Sequence, residues 1–245
     1  MIKIGNNTVT MPPGTVKVCV GDIKVWPPYD DDLIIITRND YAIGWTNADT
    51  DEVEVGYRRK ALPEGYTECL YNTIAGGGTF STGWYTNGTS IIQAKIYKES
   101  APSQAFYLWY STTATSGANK RLYFTCGASS GTCRFGSGTQ AVTTTDIIGK
   151  EITIRQDITG IYLDESLYAA YSNPTVDTSA DYLRFGSSTN ANSSVRFYYF
   201  FHIRDGALKS YYVPCIRNSD NQSGFYNIVK DAFLAGGTAG PIKHQ

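Results

Sequence analysis

Apolar and polar positions alternate with a period of two along much of this chain, and no long stretch repeats apolar residues at helical spacing. Near the N-terminus, Val16, Val18 and Val20 alternate with Lys17 and Cys19. Gly21-Asp22 then supplies a two-residue turn, glycine in first position suiting type II′, and Ile23-Lys24-Val25-Trp26 returns. Pro27-Pro28 ends this predicted hairpin because proline has no N–H to give to a ladder. Asp30-Asp31-Asp32 follows as a linker, and residues 33–37, 41–45 and 53–57 read as short strands of a second small β element. Two or three short strands are marginal alone. Residues 1–61 are therefore expected to lean on the rest of the chain, on another copy or on a partner.

A boundary falls at Arg58-Arg59-Lys60-Ala61-Leu62-Pro63. Beyond it the pattern predicts many short strands separated by turn signals, the signature of a sandwich. The candidates are residues 91–97, 105–110, 120–126, 151–155, 160–163, 182–185 and 195–204. In the last, Val195, Phe197, Tyr199, Phe201 and Ile203 are expected on one face, and Arg196, Tyr198, Phe200, His202 and Arg204 on the other. Asp205-Gly206 is a hairpin turn signal, and residues 207–213 return from it. The organisation predicted is all-β: a hairpin over 1–28, a small β linker module over 29–61, and a sandwich over 62–245.

Composition agrees with strands. Tyr (19) and Phe (10) are abundant beside Thr, Ile and Val, and methionine is confined to Met1 and Met11. Charged residues make up 18% and the net charge is −1, so no long-range field favours nucleic acid or an anionic membrane. No segment approaches the roughly 18 apolar residues of a membrane span. The first residues, Met1-Ile2-Lys3-Ile4-Gly5-Asn6-Asn7, lack the apolar stretch of a signal peptide, so synthesis in a cytoplasm is expected. The five cysteines, Cys19, Cys69, Cys126, Cys133 and Cys215, are odd in number and irregular in spacing, which argues against a disulfide framework. Cys126 and Cys133 stand where a hairpin would bring them near each other, but their spacing is not that of a zinc site. Buried or idle thiols are the expectation.

Several stretches resemble a known family, in order along the last three quarters of the chain. Leu62-Pro63-Glu64-Gly65-Tyr66-Thr67 resembles the opening of laminin-G-like jelly-roll domains found in structural proteins of gut bacteriophages. Thr79-Phe80-Ser81-Thr82-Gly83, Phe200 to Gly206, Tyr212-Val213-Pro214-Cys215-Ile216-Arg217, Gly224 to Val229 and Phe233 to Gly237 are similar to later motifs of that family. Departures lie at Asn72-Thr73-Ile74 and around Cys126 and Cys133. Residues 16–26 resemble a hairpin of phage tail and fibre proteins, including those of crAss-like phages of Bacteroidales. The resemblance implies a concanavalin/laminin-G-like jelly roll displayed on a virion surface, in a capsid (head) fibre or tail appendage. It also implies a virion anchor, for which Val18, Val20, Ile23, Val25 and Trp26 are the candidates. The partners implied are a second or third copy of the chain (a dimer or trimer), capsid or tail proteins and, through host attachment, surface polysaccharide. Neither nucleic acid nor membrane is expected.

Catalytic chemistry finds little support in the residues. Glucanases of concanavalin-like fold set two carboxylates across a cleft, usually from a Glu-x-Asp-x-x-Glu strand, and no such run is present. Asp164-Glu165 would face opposite ways on a strand and more naturally form a turn. The two histidines, His202 and His244, have no nucleophile motif beside them. His202 reads as a surface or inter-sheet residue. No cofactor is expected, and calcium is a weak alternative, since Asp30-Asp31-Asp32, Asp49-Thr50-Asp51-Glu52, Asp177 and Asp181 have no ligand-loop spacing. Sugar sites use aromatic faces, and Trp84, Tyr85, Trp109 and Tyr110 are the candidates, with Tyr168 and Tyr171 behind them. Adjacent strand residues point to opposite faces, so each pair should contain one core member, and core packing or a subunit interface is the competing explanation. The sequence reading is therefore a non-enzymatic virion protein whose sandwich binds or assembles. The alternatives are a lectin-like carbohydrate module and, behind it, a glycoside hydrolase.

Overall fold

The computed structural model describes residues 2–4, 7–9, 42–46, 53–57, 62–100, 106–111, 120–186 and 194–243. The predicted hairpin over 16–26, with Val18, Val20, Ile23, Val25 and Trp26, lies outside the described residues, as do the strand expected at 33–37 and the acidic runs at 30–32 and 49–52. The chain divides into two compact units, Met1–Ala61 and Leu62–Gln245. In the first, β1 (Ile2–Ile4) pairs with β2 (Asn7–Val9), and β3 (Ala42–Thr46) with β4 (Val53–Tyr57), both antiparallel.

The second unit is an all-β jelly-roll sandwich of two antiparallel sheets. Its strands are β5 (Tyr66–Glu68), β6 (Asn72–Ala75), β7 (Phe80–Ser81), β8 (Ile91–Tyr97), β9 (Phe106–Tyr110), β10 (Leu122–Cys126), β11 (Ser130–Phe135), β12 (Gly138–Thr143), β13 (Glu151–Gln156), β14 (Gly160–Leu163), β15 (Ser166–Ala170), β16 (Arg184–Phe185), β17 (Ser194–Arg204), β18 (Ala207–Arg217), β19 (Gln222–Asn227), β20 (Ala232–Ala235) and β21 (Thr238–Ala239). The smaller sheet runs β12-β11-β10-β9-β16-β7. The larger runs β15-β14-β13-β8-β17-β18-β19-β20, with β5 on β18 and with β6 joining β17 to β21. The chain thus passes repeatedly from one sheet to the other, and each expected strand of this unit falls on an observed one.

Turn chemistry sets the hairpins. Asp205 and Gly206 both take positive φ (54° and 67°) between β17 and β18, as do Asp164 and Glu165 (46° and 67°) between β14 and β15. Two successive residues in that region make the turn whose twist matches paired strands. Asp164-Glu165 is therefore a turn. Gly136, at φ 60°, opens the β11–β12 turn.

The core is an aromatic seam between the sheets. Phe185 of the smaller sheet stacks on Phe200 of the larger, with ring centroids 4.4 Å apart and planes 12° from parallel. Phe80, Phe225 and Tyr212 surround it at 5.0–5.2 Å. Burying one such ring stabilises by about 1.5–3 kcal/mol. Gln156 of β13 is a buried polar tie across the same interior. Its Oε1 accepts from Trp109 Nε1 of the smaller sheet, while its Nε2 donates to Arg134 O at 2.9 Å and to Tyr171 Oη at 2.8 Å. Asn72 is a second buried polar tie: its Nδ2 donates to Gly224 O and Gly236 O at 3.0 and 2.9 Å.

One expectation fails on β17. The register against β8 slips between Phe197 and Tyr199, so Tyr198 is an extra residue. A bulge of this kind shifts the alternation by one. Val195 and Phe197 lie in the core, but after the bulge Phe200 does, with His202 buried on the same side, while Tyr199 and Phe201 turn to the opposite face. There they pack on Tyr211, and Gln93 Nε2 donates to Tyr199 Oη at 3.0 Å. Cys126 and Cys133 lie on neighbouring strands of one hairpin; with Cys69 and Cys215 they are buried free thiols, and burial pushes all four above the ordinary thiol pKa.

Candidate functional site at the Trp84 end of the sandwich

Residues 82–86 follow β7 as an extended segment laced to residues 179–183. Thr82 N donates to Leu183 O at 2.9 Å and Leu183 N to Trp84 O at 2.7 Å; Ser179 N donates to Thr86 O at 2.8 Å. Thr82 and Thr86 are buried. The residues between them look outward: Trp84 is half-buried, and Tyr85, 38% exposed, lies against Tyr182 with ring centroids 4.7 Å apart.

Three cations converge on the Trp84 indole. Lys230 Nζ lies 4.8 Å from the ring centroid, Lys209 Nζ 5.3 Å and the Arg204 guanidinium carbon 5.7 Å. Each is within reach of the attraction between a cation and an aromatic face. They come from separate places: Arg204 ends β17, Lys209 is near the start of β18, and Lys230 lies in the turn before β20. Lys209 is brought in by a second bulge, because the register jumps from His202 opposite Ser210 to Ile203 opposite Leu208. Lys230 Nζ also donates to Thr82 O at 2.8 Å and lies 2.9 Å from where a Cβ on Gly83 would stand. Gly83, at φ +69°, therefore serves both the turn and the approach of the lysine.

One carboxylate belongs to this cluster. Asp205 Oδ2 meets Arg204 Nε at 3.1 Å, and Asp205 Oδ1 accepts from Asn87 Nδ2 at 2.9 Å and Thr89 Oγ1 at 2.7 Å. These hydrogen bonds hold its carboxyl below the ordinary carboxylate pKa. Partial desolvation of its ammonium against Trp84 and Thr82 O lowers the pKa of Lys230, although the residue as a whole is exposed. Beneath the cations His202 is fully buried, Nε2 3.1 Å from Ser90 Oγ, and burial reinforced by Arg204 and Lys209 pushes its pKa down to about 3. It is an inner residue of the sandwich, and its depressed pKa favours the neutral imidazole. Trp84 Nε1 is buried without a hydrogen-bond partner.

The other sequence candidates stand elsewhere. Trp109 is 0% exposed, packed against Phe124 and tied to Gln156, so it offers no face to a sugar; the expectation that it contacts glycan is corrected by its place in the core. Its neighbour Tyr110 is also buried, on the opposite face of the smaller sheet. There Tyr107 meets Tyr110 and Tyr123 edge to face, at 61° and 79°, and Arg184 lies over Tyr110. Tyr171 is a core residue, while Tyr168 is exposed and donates to Asp146 Oδ2 at 2.8 Å. Among the described residues, no three His, Cys, Asp or Glu side chains gather as a metal-binding group. Nor does any of the six strands of the smaller sheet carry Asp or Glu.

Sequence reasoning named Trp84 and Tyr85 but missed the cations. Arg204 and Lys209 flank the Asp205-Gly206 turn, and hairpin pairing was a usable signal for those two. Lys230 reaches the ring only through tertiary folding.

No protein-family model matches the chain, and no curated protein matches it. Among solved structures it is similar to a β-1,3-glucanase from Mycobacterium marinum at 10% identity and a TM-score of 0.34, over 68% of this chain and 75% of that one. It is also similar to a botulinum neurotoxin type C chain, described with two ganglioside molecules, at 11% identity and a TM-score of 0.32. A third is the binding domain of botulinum neurotoxin DC in complex with rat synaptotagmin II, at 13% identity and a TM-score of 0.32. The chain spans 43% and 41% of those two toxin chains.

Proposed function

We propose that this protein is a non-catalytic adhesion module, its jelly-roll sandwich binding surface glycan through the Trp84 end. The observation that carries the reading is the outward segment of Trp84 and Tyr85, with Tyr182 beside it and cationic hydrogen-bond donors around the ring. Apolar ring faces beside a few polar groups are what sugar recognition uses, and the fold gives this segment a rigid backing. A hydrolase would need two carboxylates facing a common cleft. The smaller sheet's strands provide none, and Asp205 is committed to Arg204, Asn87 and Thr89.

Placement on a phage virion, as a head fibre or tail appendage anchored through residues 1–61 and oligomeric, rests on the resemblance of residues 16–26 and of the ordered motifs between 62 and 237. A glycan array probed with the full chain tests the binding reading: Trp84→Ala should abolish whatever signal the wild-type protein gives. Deletion of residues 1–61 tests the anchor. Loss of the sandwich from assembled particles is expected, and undiminished incorporation would contradict it.

A further inference from the structure

The cluster on Trp84 has an imbalance of charge that glycan binding in general does not require. Three cations, Arg204, Lys209 and Lys230, surround one ring; among the described residues Asp205 is the carboxylate paired with them, and Asp181 acts on the neighbouring Tyr85. Asp205 is engaged by Arg204 Nε and two neutral donors, all around the Asp205-Gly206 turn. Lys230 has a carbonyl, Thr82 O, and no carboxylate in contact among the described residues; Lys209 has none either. One indole face cannot satisfy three positive groups, since its attraction for each is weak and the cations repel one another. The fold also leaves Trp84 Nε1 buried and unpartnered, a feature that disfavours the folded state. Features that burden stability without local compensation collect where a protein binds something.

Backbone geometry maintains this arrangement. A bulge supplies Lys209, and a glycine at positive φ clears the path of Lys230. The site is also open: Lys230 is exposed, and Trp84, Arg204 and Lys209 are half-buried.

We infer that the Trp84 end selects anionic saccharides, its cations meeting a carboxylate or sulfate of the sugar while Trp84 and the Tyr85–Tyr182 pair take the ring faces. The inference rests on the glycan-binding reading and narrows it to acidic polysaccharide. A nucleic acid would share the chemistry of cations and stacking rings. The cations here surround a single ring instead of forming a stripe along a backbone path, and the chain's net charge is −1, which favours the sugar.

The test uses the full chain and a panel of acidic oligosaccharides, uronate-, sialate- and sulfate-bearing, each beside its neutral form (carboxyl-esterified or desulfated), with a single-stranded oligonucleotide as a further arm. The expected result is binding to at least one acidic member, with at least tenfold loss in its neutral partner. That binding should weaken at least tenfold between 50 and 500 mM salt. Lys209→Gln with Lys230→Gln should lower it at least tenfold while leaving the melting temperature unchanged; should that double variant fail to fold, Lys209→Gln alone gives the comparison. Equal binding of acidic and neutral partners, still lost on Trp84→Ala, would overturn the charge selection and leave the glycan reading intact. Binding to no sugar, or to the oligonucleotide alone, would overturn both.

Discussion

Phe185 and Trp84 illustrate two uses of an aromatic ring within one sandwich. Phe185 is fully buried and ringed by the aromatic side chains of Phe200, Phe80, Phe225 and Tyr212. Trp84 lies partly open under Arg204, Lys209 and Lys230, its N–H unpaired. The first arrangement lowers the free energy of the folded chain. The second gathers like charges and an unsatisfied donor, neither of which serves folding. Burial alone distinguishes the two tryptophans that the sequence offered as equals: Trp109 belongs with Phe185 in the seam, and Trp84 does not.

The comparison can be broken most severely at the seam. Phe185→Ala should cost about 3–5 kcal/mol, because it empties the point where both sheets meet. Chemical denaturation of the purified variant measures it, and a loss under 1 kcal/mol would mean the seam is not the principal support. Gln156→Leu should cost about 1–3 kcal/mol, since it leaves the buried Trp109 Nε1 and Tyr171 Oη, and the part-buried Arg134 O, without this partner. The same denaturation assay checks it, and a stabilised variant would show that the polar tie serves something other than stability.

A third prediction joins the two regions. His202 lies on β17, the strand that carries both Phe200 and Arg204, with its pKa pushed down to about 3, against an ordinary value of 6.5. The unfolded chain therefore binds a proton between these values that the folded chain refuses. The stability contributed is complete above about pH 6.5 and is lost as pH falls toward 3, by up to about 1.4 kcal/mol per pH unit. Denaturation midpoints of the wild-type protein between pH 7 and 4 should fall along this slope, and His202→Gln should flatten it. An unchanged slope in the variant would assign the pH dependence to other groups.

The fold was largely legible because it rests on local signals. Period-two runs located strands such as Ile91–Tyr97 and Gly160–Leu163, and Asp205-Gly206 and Asp164-Glu165 were readable as turns. Bulges were not readable. The extra residue at Tyr198 reverses which aromatics of β17 enter the core, and nothing in Val195 to Arg204 marks where the slip occurs. The site was half legible for the same reason. Aromatic residue types drew attention to Trp84 and Tyr85, and the Asp205-Gly206 turn placed Arg204 and Lys209 near each other, but a distant turn brings Lys230 to the ring, and such a non-local meeting leaves no spacing in the sequence.

The smallest effect on stability is expected where the largest effect on binding is. Trp84→Ala should change the folded free energy by less than about 1 kcal/mol, because the ring is half open and its N–H gains nothing from burial. Isothermal titration of the wild-type and Trp84→Ala full chains with the best acidic oligosaccharide, with melting temperatures recorded on the same samples, tests the account most directly. The account predicts at least tenfold weaker binding and a melting temperature within about 4 °C of wild type. Unchanged affinity, or loss of binding only together with collapse of the fold, would contradict it.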